Sequence, residues 1–343
     1  MVSEIDINKY EFVSKEYEGM SIFHSVEWIN VLADYYHFPK KIIHFHENGV
    51  SLSLIPFLVS TTLKGKKCLN FLPFTDQIDI LGKNHINHII KYLSENELSD
   101  YYKIIFHTDI SNFVVDNEIK NKIFIDDSYV KHTLFLSSLW ENIQYKFSIN
   151  AKRNIKKAIK NQVEIRYETD DNALAVFYHL HLLTRKKHGT PIQPYGFFKK
   201  LKQVFLEKEN GMILSAYKGK IPLAAAVFLF DNQTMIYKYG ASNPNFLKFR
   251  PNELLFSEAI RIAQEKNLKV FDFGISKINN IGLRHFKSGF GAVESPVSYS
   301  VMSNKPIKKK GKTGDNRVIK FIIRHSPLWV NRLIGELFYK FAA

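Results

Sequence analysis

A lysine and an aspartate lie in two aromatic, glycine-containing segments where they could take part in chemistry. Lys287 follows Phe286 and precedes the glycine-rich turn 288–291, so packing on one side and flexible backbone on the other could position its ammonium. An ammonium held in this way can stabilise negative charge on a reacting oxygen. Asp272 ends a predicted buried strand, 269–273, where its carboxylate could accept a proton or orient the lysine. The alternatives are a loop cap for Asp272 and a surface position for Lys287.

Another group of polar residues surrounds the start of a predicted helix. The strand Thr234–Tyr239 is followed by the polar loop 240–245, and Pro251 then opens the helix, because proline is tolerated at the first helical position. Unpaired backbone N–H groups and the helix dipole both favour an anion at such a loop. We therefore predict that the anionic part of a donor substrate binds here, in contact with four side chains: Ser242, Asn243, Arg250 and Asn252.

The elements that must position these residues lie between Gly211 and Gly291. Three strands joined by tight turns are predicted at 212–217, 223–230 and 234–239, and the uninterrupted apolar run of the middle strand indicates burial on both faces. Nearer the N-terminus, Asn48-Gly49 separates two apolar runs and predicts a β-hairpin. Strands and helices therefore alternate in both halves of the chain, which indicates an α/β protein.

The chain resembles the GNAT acyltransferases and, among them, the FemAB-like enzymes. The strand, loop and long helix around Ser242 look like the acyl-donor motif of GNAT enzymes. FemAB-like enzymes contain two GNAT-like domains and transfer acyl or aminoacyl groups to amines, and the best known build peptidoglycan cross-bridges. Three segments carry this likeness, which extends from about Ile22 to Tyr299: Arg250-Pro251-Asn252, Phe271-Asp272-Phe273-Gly274 and Phe286-Lys287-Ser288-Gly289-Phe290-Gly291.

This resemblance implies an α/β fold (α+β, mixed sheet) of two tandem GNAT-like acyl-CoA N-acyltransferase domains, at 1–145 and 146–304, with a C-terminal helical tail. The tail, 305–343, would pack on the first domain. In bridge-forming enzymes the lysine of the matching motif belongs to the reaction centre, which implies that Lys287 stabilises the oxyanion. The segment Thr184–Phe198 is typical of the family and would shape an acceptor site with four members: Arg185, Gln193, Tyr195 and Tyr239.

The charge of the chain favours an anionic partner. Lys and Arg number 48 and Asp and Glu 33, which gives a net charge of +15. On the predicted helix 150–160, Lys152, Arg153 and Lys156 could face phosphates, and a solvated surface face is the alternative. The glycine-rich segment usual in acetyl-CoA-binding GNAT enzymes is absent from 242–250. Acyl-CoA and aminoacyl-tRNA both remain open as co-substrates, and no tightly bound cofactor is expected.

The acceptor and the class of function leave further alternatives. Bridge-forming enzymes have basic residues where this chain has Leu32 and Gln193, so an amine on another sugar or peptide precursor of the cell envelope, small or lipid-linked, competes with a peptidoglycan precursor. A non-catalytic, basic nucleic-acid-binding protein is the rival from a different class. The sequence contains no His-x-x-x-His pair with a carboxylate partner and no paired cysteines, so no metal site is predicted.

The remaining features concern location. Cys68 is the only cysteine, the N-terminus lacks a signal-peptide core, and no apolar run reaches the length of a membrane span, so we expect a cytoplasmic protein. After the basic linker Lys305–Lys312, the amphipathic segment Val318–Phe341 could instead attach to an anionic membrane surface.

The transferase hypothesis makes one geometric demand. The backbone N–H groups near Arg250 and the ammonium of Lys287 should open into the same pocket. Tyr239, Tyr299 and His285 are weaker candidates for acid–base chemistry.

Overall fold

The computed structural model describes residues 1–307 and 317–343, which form two compact units. Unit 1 contains Met1–Tyr129, 296–307 and Lys340–Ala343, and unit 2 contains Val130–Ser295 and 317–339. The predicted basic linker Lys305–Lys312 lies mostly outside the described residues. Each unit is a mixed β-sheet with helices packed on it, in agreement with the predicted α/β class.

The helices and strands follow one another along the chain in this order: β1 (Val2–Ile5), α1 (Ile7–Ser14), α2 (Val26–Tyr36), β2 (Lys40–Glu47), β3 (Val50–Thr61), β4 (Lys67–Asn70), α3 (Ile86–Tyr92), β5 (Lys103–Phe106), α4 (Asn117–Lys120), β6 (Ile123–Phe135), α5 (Trp140–Tyr145), α6 (Ile149–Lys160), β7 (Glu164–Glu168), α7 (Asp171–His188), α8 (Tyr195–Leu201), β8 (Gly211–Lys218), β9 (Ile221–Phe230), β10 (Thr234–Ser242), α9 (Pro251–Glu265), β11 (Val270–Lys277), α10 (Ile281–Ser288), β12 (Val293–Met302), α11 (Arg317–His325) and α12 (Leu328–Phe338).

The sheet of unit 1 is built on the predicted hairpin. β2 and β3 are antiparallel and joined at Asn48 and Gly49, whose φ angles of 49° and 79° are the left-handed values that a two-residue hairpin turn requires. The strand order is β1-β2-β3-β4-β5, followed by the C-terminal part of β12. β4 and β5 run parallel, and the other pairs in this unit are antiparallel.

The sheet of unit 2 has the order β6-β11-β10-β9-β8-β7. As predicted, β9 is covered on both faces, and Leu223–Phe230 is buried throughout. Alternate residues of β8 and β9, among them Leu214 and Phe228, join Leu255 and Ala259 of α9 in one apolar core. α7 also packs on β9 and β10, so the sheet is sandwiched between helices.

The two central strands of unit 2 separate after a short parallel ladder. β10 and β11 pair only from Thr234–Val270 to Ile236–Asp272, although β10 continues to Ser242 and β11 to Lys277. On its other side β10 stays paired with β9, with a register shift between Tyr237 and Tyr239. A bulge of this kind bends and twists a strand, which accounts for the divergence of β10 from β11.

The tail differs from its prediction. α11 and α12 belong to unit 2 and pack on α7, whereas only Lys340–Ala343 group with unit 1. The two helices are tied together by the Asn331 amide, which donates to the Ile323 carbonyl oxygen over 2.9 Å. The reason for the difference is local, because Gly335 brings α12 directly against Ile192 and Glu336 accepts a hydrogen bond from the backbone N–H of Tyr195.

None of the helices within residues 1–307 and 317–343 combines the length and the apolar character needed to cross a membrane.

A substitution at Gly335 tests how the tail is held. A Cβ atom there would lie 2.3 Å from the carbonyl oxygen of Ile192, so Gly335→Ala must push α12 away from unit 2. We expect a loss of about 1–3 kcal/mol of stability and faster native-state trypsin cleavage after Arg324. Gly282→Ala is the matched control, because a Cβ at that helical glycine meets nothing within 4 Å. Equal protease resistance in the two variants would contradict the described docking.

Candidate functional site

Lys287 is buried in unit 2. The side chain is 2% exposed on α10, and its Nζ donates to the carbonyl oxygens of Gly274 and Ile275 at 3.1 and 2.9 Å. Both carbonyls belong to β11 just beyond the last residue that pairs with β10. The surface alternative for this lysine is therefore wrong, and its ammonium lies where the two central strands part.

Asp272 lies at the same point of divergence. Its Oδ1 accepts the backbone N–H of Gly274 at 2.7 Å, which is the loop-capping arrangement considered above. Its Oδ2 lies 3.1 Å from Nζ of Lys131 on β6. The carboxylate is thus both a cap for the backbone and the partner of a lysine that the sequence did not single out.

A buried histidine completes the group around Lys287. His132, on β6, is fully buried, and its Nδ1 lies 3.6 Å from Oε1 of Glu294. In the part of the chain that the structure describes, neither ring nitrogen has a hydrogen-bond partner. Burial lowers the pKa of His132 to about 4. The positive charges of Lys287 and Arg284 also lower this pKa, whereas the negative charge of Glu294 raises it. The ring is therefore neutral near pH 7.

Arg284 holds the carboxylate beside that histidine. Its Nε and Nη2 donate to the two oxygens of Glu294 at 3.1 and 2.8 Å, a bidentate pair. This pairing lowers the pKa of the Glu294 carboxyl. The sequence reading missed His132, Arg284 and Glu294, since none belongs to a motif by itself.

The predicted donor residues form a hydrogen-bonded loop. The hydroxyl of Thr184 on α7 accepts the backbone N–H of Ser242 at 2.8 Å and donates to its carbonyl oxygen at 3.1 Å. The Ser242 hydroxyl and the Asn252 amide are 3.2 Å apart, so the end of β10 is tied to the first turn of α9. Asn243 caps the next turn by accepting the N–H of Asn245.

Arg250 stands at the N-terminus of α9 in a left-handed conformation, with φ 59°. Its guanidinium lies 3.8 Å from Glu253, and Glu253 also accepts a hydrogen bond of 3.0 Å from Asn154 on α6. The Glu253 carboxylate already occupies the favourable end of the helix dipole. An anionic ligand would have to share Arg250 with that carboxylate.

An open cavity of about 530 Å³ lies at this helix end, between α6, α9 and α10. It is lined by Arg250 and, from α10, by Gly282, His285 and Phe286. Lys287 points to the other side of α10, toward β11. The demand that the N-terminus of α9 and the Lys287 ammonium share one pocket is therefore not met, because α10 separates them.

The predicted acceptor residues fall into two groups. Arg185 donates to Gln193 Oε1 at 3.1 Å and to Nε2 of His181 at 3.3 Å, and His181 is 2.9 Å from Gln193. Burial, assisted by Arg185, lowers the pKa of His181 to about 3. The Tyr239 ring packs near His181, at a centroid distance of 6.3 Å.

Tyr195 belongs to the second group, near the tail. Its ring contacts Tyr178 at 4.9 Å, and the Arg332 guanidinium of α12 lies 5.7 Å from its centroid. The structure thus places Tyr195 with α12 rather than in the Arg185–Gln193 network.

The basic residues of α6 face outward. Lys152, Arg153 and Lys156 are exposed, while Ala151 and Ala158 form the buried side of the same helix. Lys152 Nζ lies 3.4 Å from the Tyr145 carbonyl oxygen. We call these three residues the α6 basic ridge.

The remaining candidates are separated from one another. His285 lines the cavity beside Arg250, and the Tyr299 hydroxyl donates to the Asp76 carbonyl oxygen within unit 1. Burial raises the pKa of Tyr299. No three His, Cys, Asp or Glu side chains of the described residues converge in a way that could hold a metal ion.

Comparison with known proteins gives a family for the second unit. Residues 146–288 match the acetyltransferase (GNAT) domain. A Lipid II:glycine glycyltransferase of Staphylococcus haemolyticus is 28% identical over 115 residues, which are 31% of this chain and 27% of that enzyme. The chain therefore spans about a quarter of the length of that curated relative.

Solved structures share the fold over most of the chain. FemX has a TM-score of 0.67 at 12% identity, covering 88% of this chain and 96% of its own. A tandem GNAT protein from the clavulanic acid biosynthesis pathway has a TM-score of 0.51 at 8% identity, covering 90% and 99%. At such identities the matches establish a common fold, which confirms the predicted tandem GNAT-like architecture with its C-terminal helices.

Residues 146–288 thus match a GNAT domain, and these matches together with the three motifs around Arg250, Asp272 and Lys287 bear out the predicted resemblance to FemAB-like acyltransferases. The predicted resemblance is confirmed.

Burial of His132 predicts a pH dependence of stability. The unfolded chain protonates this histidine near pH 6.5 and the folded chain near pH 4, so the unfolded state binds more protons between these values and stability falls as the pH drops. A fully buried histidine with this shift costs about 2 kcal/mol between pH 6.5 and 5. We expect His132→Gln to flatten the unfolding free energy over this range, measured by urea denaturation.

His179→Gln is the control for that measurement, since His179 is an exposed histidine of the same unit. The unfolding free energy of His132→Gln should still fall somewhat as the pH drops, because the lowered pKa of His181 has the same effect on stability. An unchanged slope in His132→Gln would contradict burial of a neutral ring at this position.

Proposed function

We propose that the protein is an N-acyltransferase that moves an acyl or aminoacyl group from an activated donor to an amine of a cell-envelope sugar or peptide precursor. One observation carries the proposal. Within the GNAT-matching domain, the parallel ladder of β10 and β11 stops at Ile236–Asp272 while both strands continue. Two parallel strands that part expose the edges of their backbones to an extended ligand arm placed between them.

The reaction would take place at this divergence. The acceptor amine attacks the carbonyl carbon of the bound thioester or ester, a tetrahedral oxyanion forms, and the thiol or ribose hydroxyl leaves as the amine gives up its proton. Lys287 would stabilise the oxyanion and Asp272 would receive the proton or orient the reacting groups. Their closeness to the end of the ladder supports both roles, although each is also engaged with backbone groups of β11.

Two donors fit different features of unit 2. Acyl-CoA would use the N-terminus of α9, whose first turn has no side-chain cap, together with the predicted donor residues Ser242, Asn243, Arg250 and Asn252. Aminoacyl-tRNA would add contacts of its phosphates to the exposed α6 basic ridge. We favour aminoacyl-tRNA, because a net charge of +15 and an exposed ridge suit a polyanion and because Glu253 already competes for Arg250.

The acceptor is proposed from chemistry near α7. The Arg185–Gln193–His181 network offers a fixed cation and amide, which suit a carboxylate or peptide group of a precursor. The relative named for acting on lipid II supports a lipid-linked acceptor, which would be met at a membrane surface. Leu32 and Gln193, in place of basic residues, favour a precursor other than the muramyl pentapeptide.

Replacing the buried lysine tests the proposed reaction centre. Lys287→Met removes two hydrogen bonds to β11, so we expect a loss of about 1–3 kcal/mol in unfolding free energy. At a temperature where the variant is fully folded, transfer to the amine should fall by about 100-fold or more. Lys277→Met serves as control, because Lys277 is an exposed lysine at the end of β11, the strand that Lys287 contacts. Wild-type transfer by folded Lys287→Met would remove this lysine from the mechanism.

Removing the α6 basic ridge tests the donor. The triple variant in which Ala replaces Lys152, Arg153 and Lys156 should bind charged tRNA more weakly. The slope of the logarithm of its binding constant against the logarithm of salt concentration should be smaller in magnitude by about 2. The control changes three exposed lysines elsewhere in unit 2 and removes the same charge: Lys208, Lys220 and Lys269.

Three results would distinguish the two possible donors from each other and a transferase from a nucleic-acid-binding protein. Retention on immobilised CoA without affinity for charged tRNA would assign an acyl-CoA donor. Protection of the aminoacyl ester from hydrolysis would assign a tRNA donor. Equal affinity for bulk RNA and charged tRNA, without protection of the ester, would favour the nucleic-acid-binding alternative.

A further inference from the structure

The two tail helices carry large apolar side chains that nothing in the described part of the chain covers. Phe321 is 62% exposed and Trp329 is 69% exposed. On α11 the apolar residues recur at i, i+3 and i+4, and on α12 they recur at i, i+4 and i+8, so each set occupies one side of its helix. We call these residues the outer tail face: Val318, Phe321, Ile322, Trp329, Leu333 and Leu337.

The inner sides of the same helices are already used. Ile323 is 1% exposed and Asn331 is buried, both helices pack on α7, and Gly335 is buried against Ile192. Because the inner sides of both helices are used in packing within unit 2, the apolar side chains of the outer tail face lie on the sides of the helices that remain exposed.

The two tail helices carry net positive charge. Residues 317–339 contain four basic side chains, Arg317, Lys320, Arg324 and Arg332, and a single acidic one, Glu336, which gives 4 − 1 = +3. Tryptophan suits the boundary between an apolar phase and water, since its ring is apolar and its N–H polar. An exposed apolar face on helices of net positive charge matches a surface that is apolar inside and anionic outside.

We propose that the outer tail face binds the surface of an anionic phospholipid bilayer, with α11 and α12 lying in the headgroup region and Phe321 and Trp329 entering the acyl boundary. A second copy of this chain fits less well, because a symmetric contact would place two tails of net positive charge against each other. The proposal goes beyond acyl transfer and does not depend on it. It explains why α11 and α12 expose large apolar side chains although they are docked on α7.

Vesicle binding tests the proposal with full-length protein. We expect the wild type to co-sediment with vesicles that contain phosphatidylglycerol and to bind phosphatidylcholine vesicles weakly, with a strong dependence on salt. Phe321→Glu with Trp329→Glu should lower the partition coefficient by about tenfold or more. The control is Phe12→Glu, since Phe12 is a phenylalanine of similar exposure, 74%, in unit 1.

A second measurement locates the contact. Lipids with brominated acyl chains should quench tryptophan fluorescence in the wild type and much less in Trp329→Phe, because Trp28 is buried and Trp140 packs against the apolar core of unit 2. Either of two results would overturn the proposal. One is unchanged vesicle binding by the double glutamate variant. The other is a lipid-free dimer in sedimentation velocity that this variant converts to monomer, which would assign the face to a second copy. Transfer activity on a soluble acceptor is a separate readout, so failure of the membrane proposal leaves the proposed chemistry intact.

Discussion

The hydrogen bonds from the Lys287 ammonium to the Gly274 and Ile275 carbonyl oxygens hold the centre of unit 2 together. They are needed because the ladder between β10 and β11 ends at Asp272, and every buried backbone group beyond that point must find another partner. Asp272 supplies an acceptor for the Gly274 N–H, and Lys287 supplies donors for the carbonyls. The two sequence motifs that contain these residues are therefore two halves of one arrangement that keeps a strand extended after it has left its neighbour.

This arrangement brings charge into the interior, and the surrounding residues balance it. Lys131 pairs with Asp272, and Arg284 pairs with Glu294. His132 lies among these groups as a neutral ring, because burial and two nearby cations oppose its protonation. Removing one member of such a group leaves a buried partner unsatisfied, which costs more than a hydrogen bond on the surface.

Local patterns allowed much of the fold to be predicted. The Asn48-Gly49 hairpin, the buried strand β9 and the helix opened by Pro251 each depend on a few adjacent residues, and all three occur in the structure. His132 could not be predicted in the same way. It comes to Lys287 from a strand 155 positions earlier in the chain, and strand pairing over that distance leaves no local pattern.

The N-terminus of α9 and the Lys287 ammonium do not share one pocket, because neighbouring residues of α10 point in different directions. Successive residues of a helix point about 100° apart, so Phe286 and Lys287 can face different surroundings although they are neighbours in a motif. Here Phe286 and His285 line the cavity beside Arg250, while Lys287 reaches β11. The tail was misplaced for a related reason, since helix amphipathicity shows that a face will be buried but not against which unit.

α10 consequently contributes residues to two separate polar regions, one on each side of the helix. One side contributes to the cavity at the N-terminus of α9, and the other carries the ammonium that holds β11. α10 is only eight residues long and is followed by the turn at Gly289 and Gly291, and a Cβ at Gly291 would lie 2.5 Å from Lys146. Its position is thus set by close packing at one end and by the buried lysine in the middle. The helix that lines the cavity is therefore the same short helix whose buried lysine holds the diverging strand.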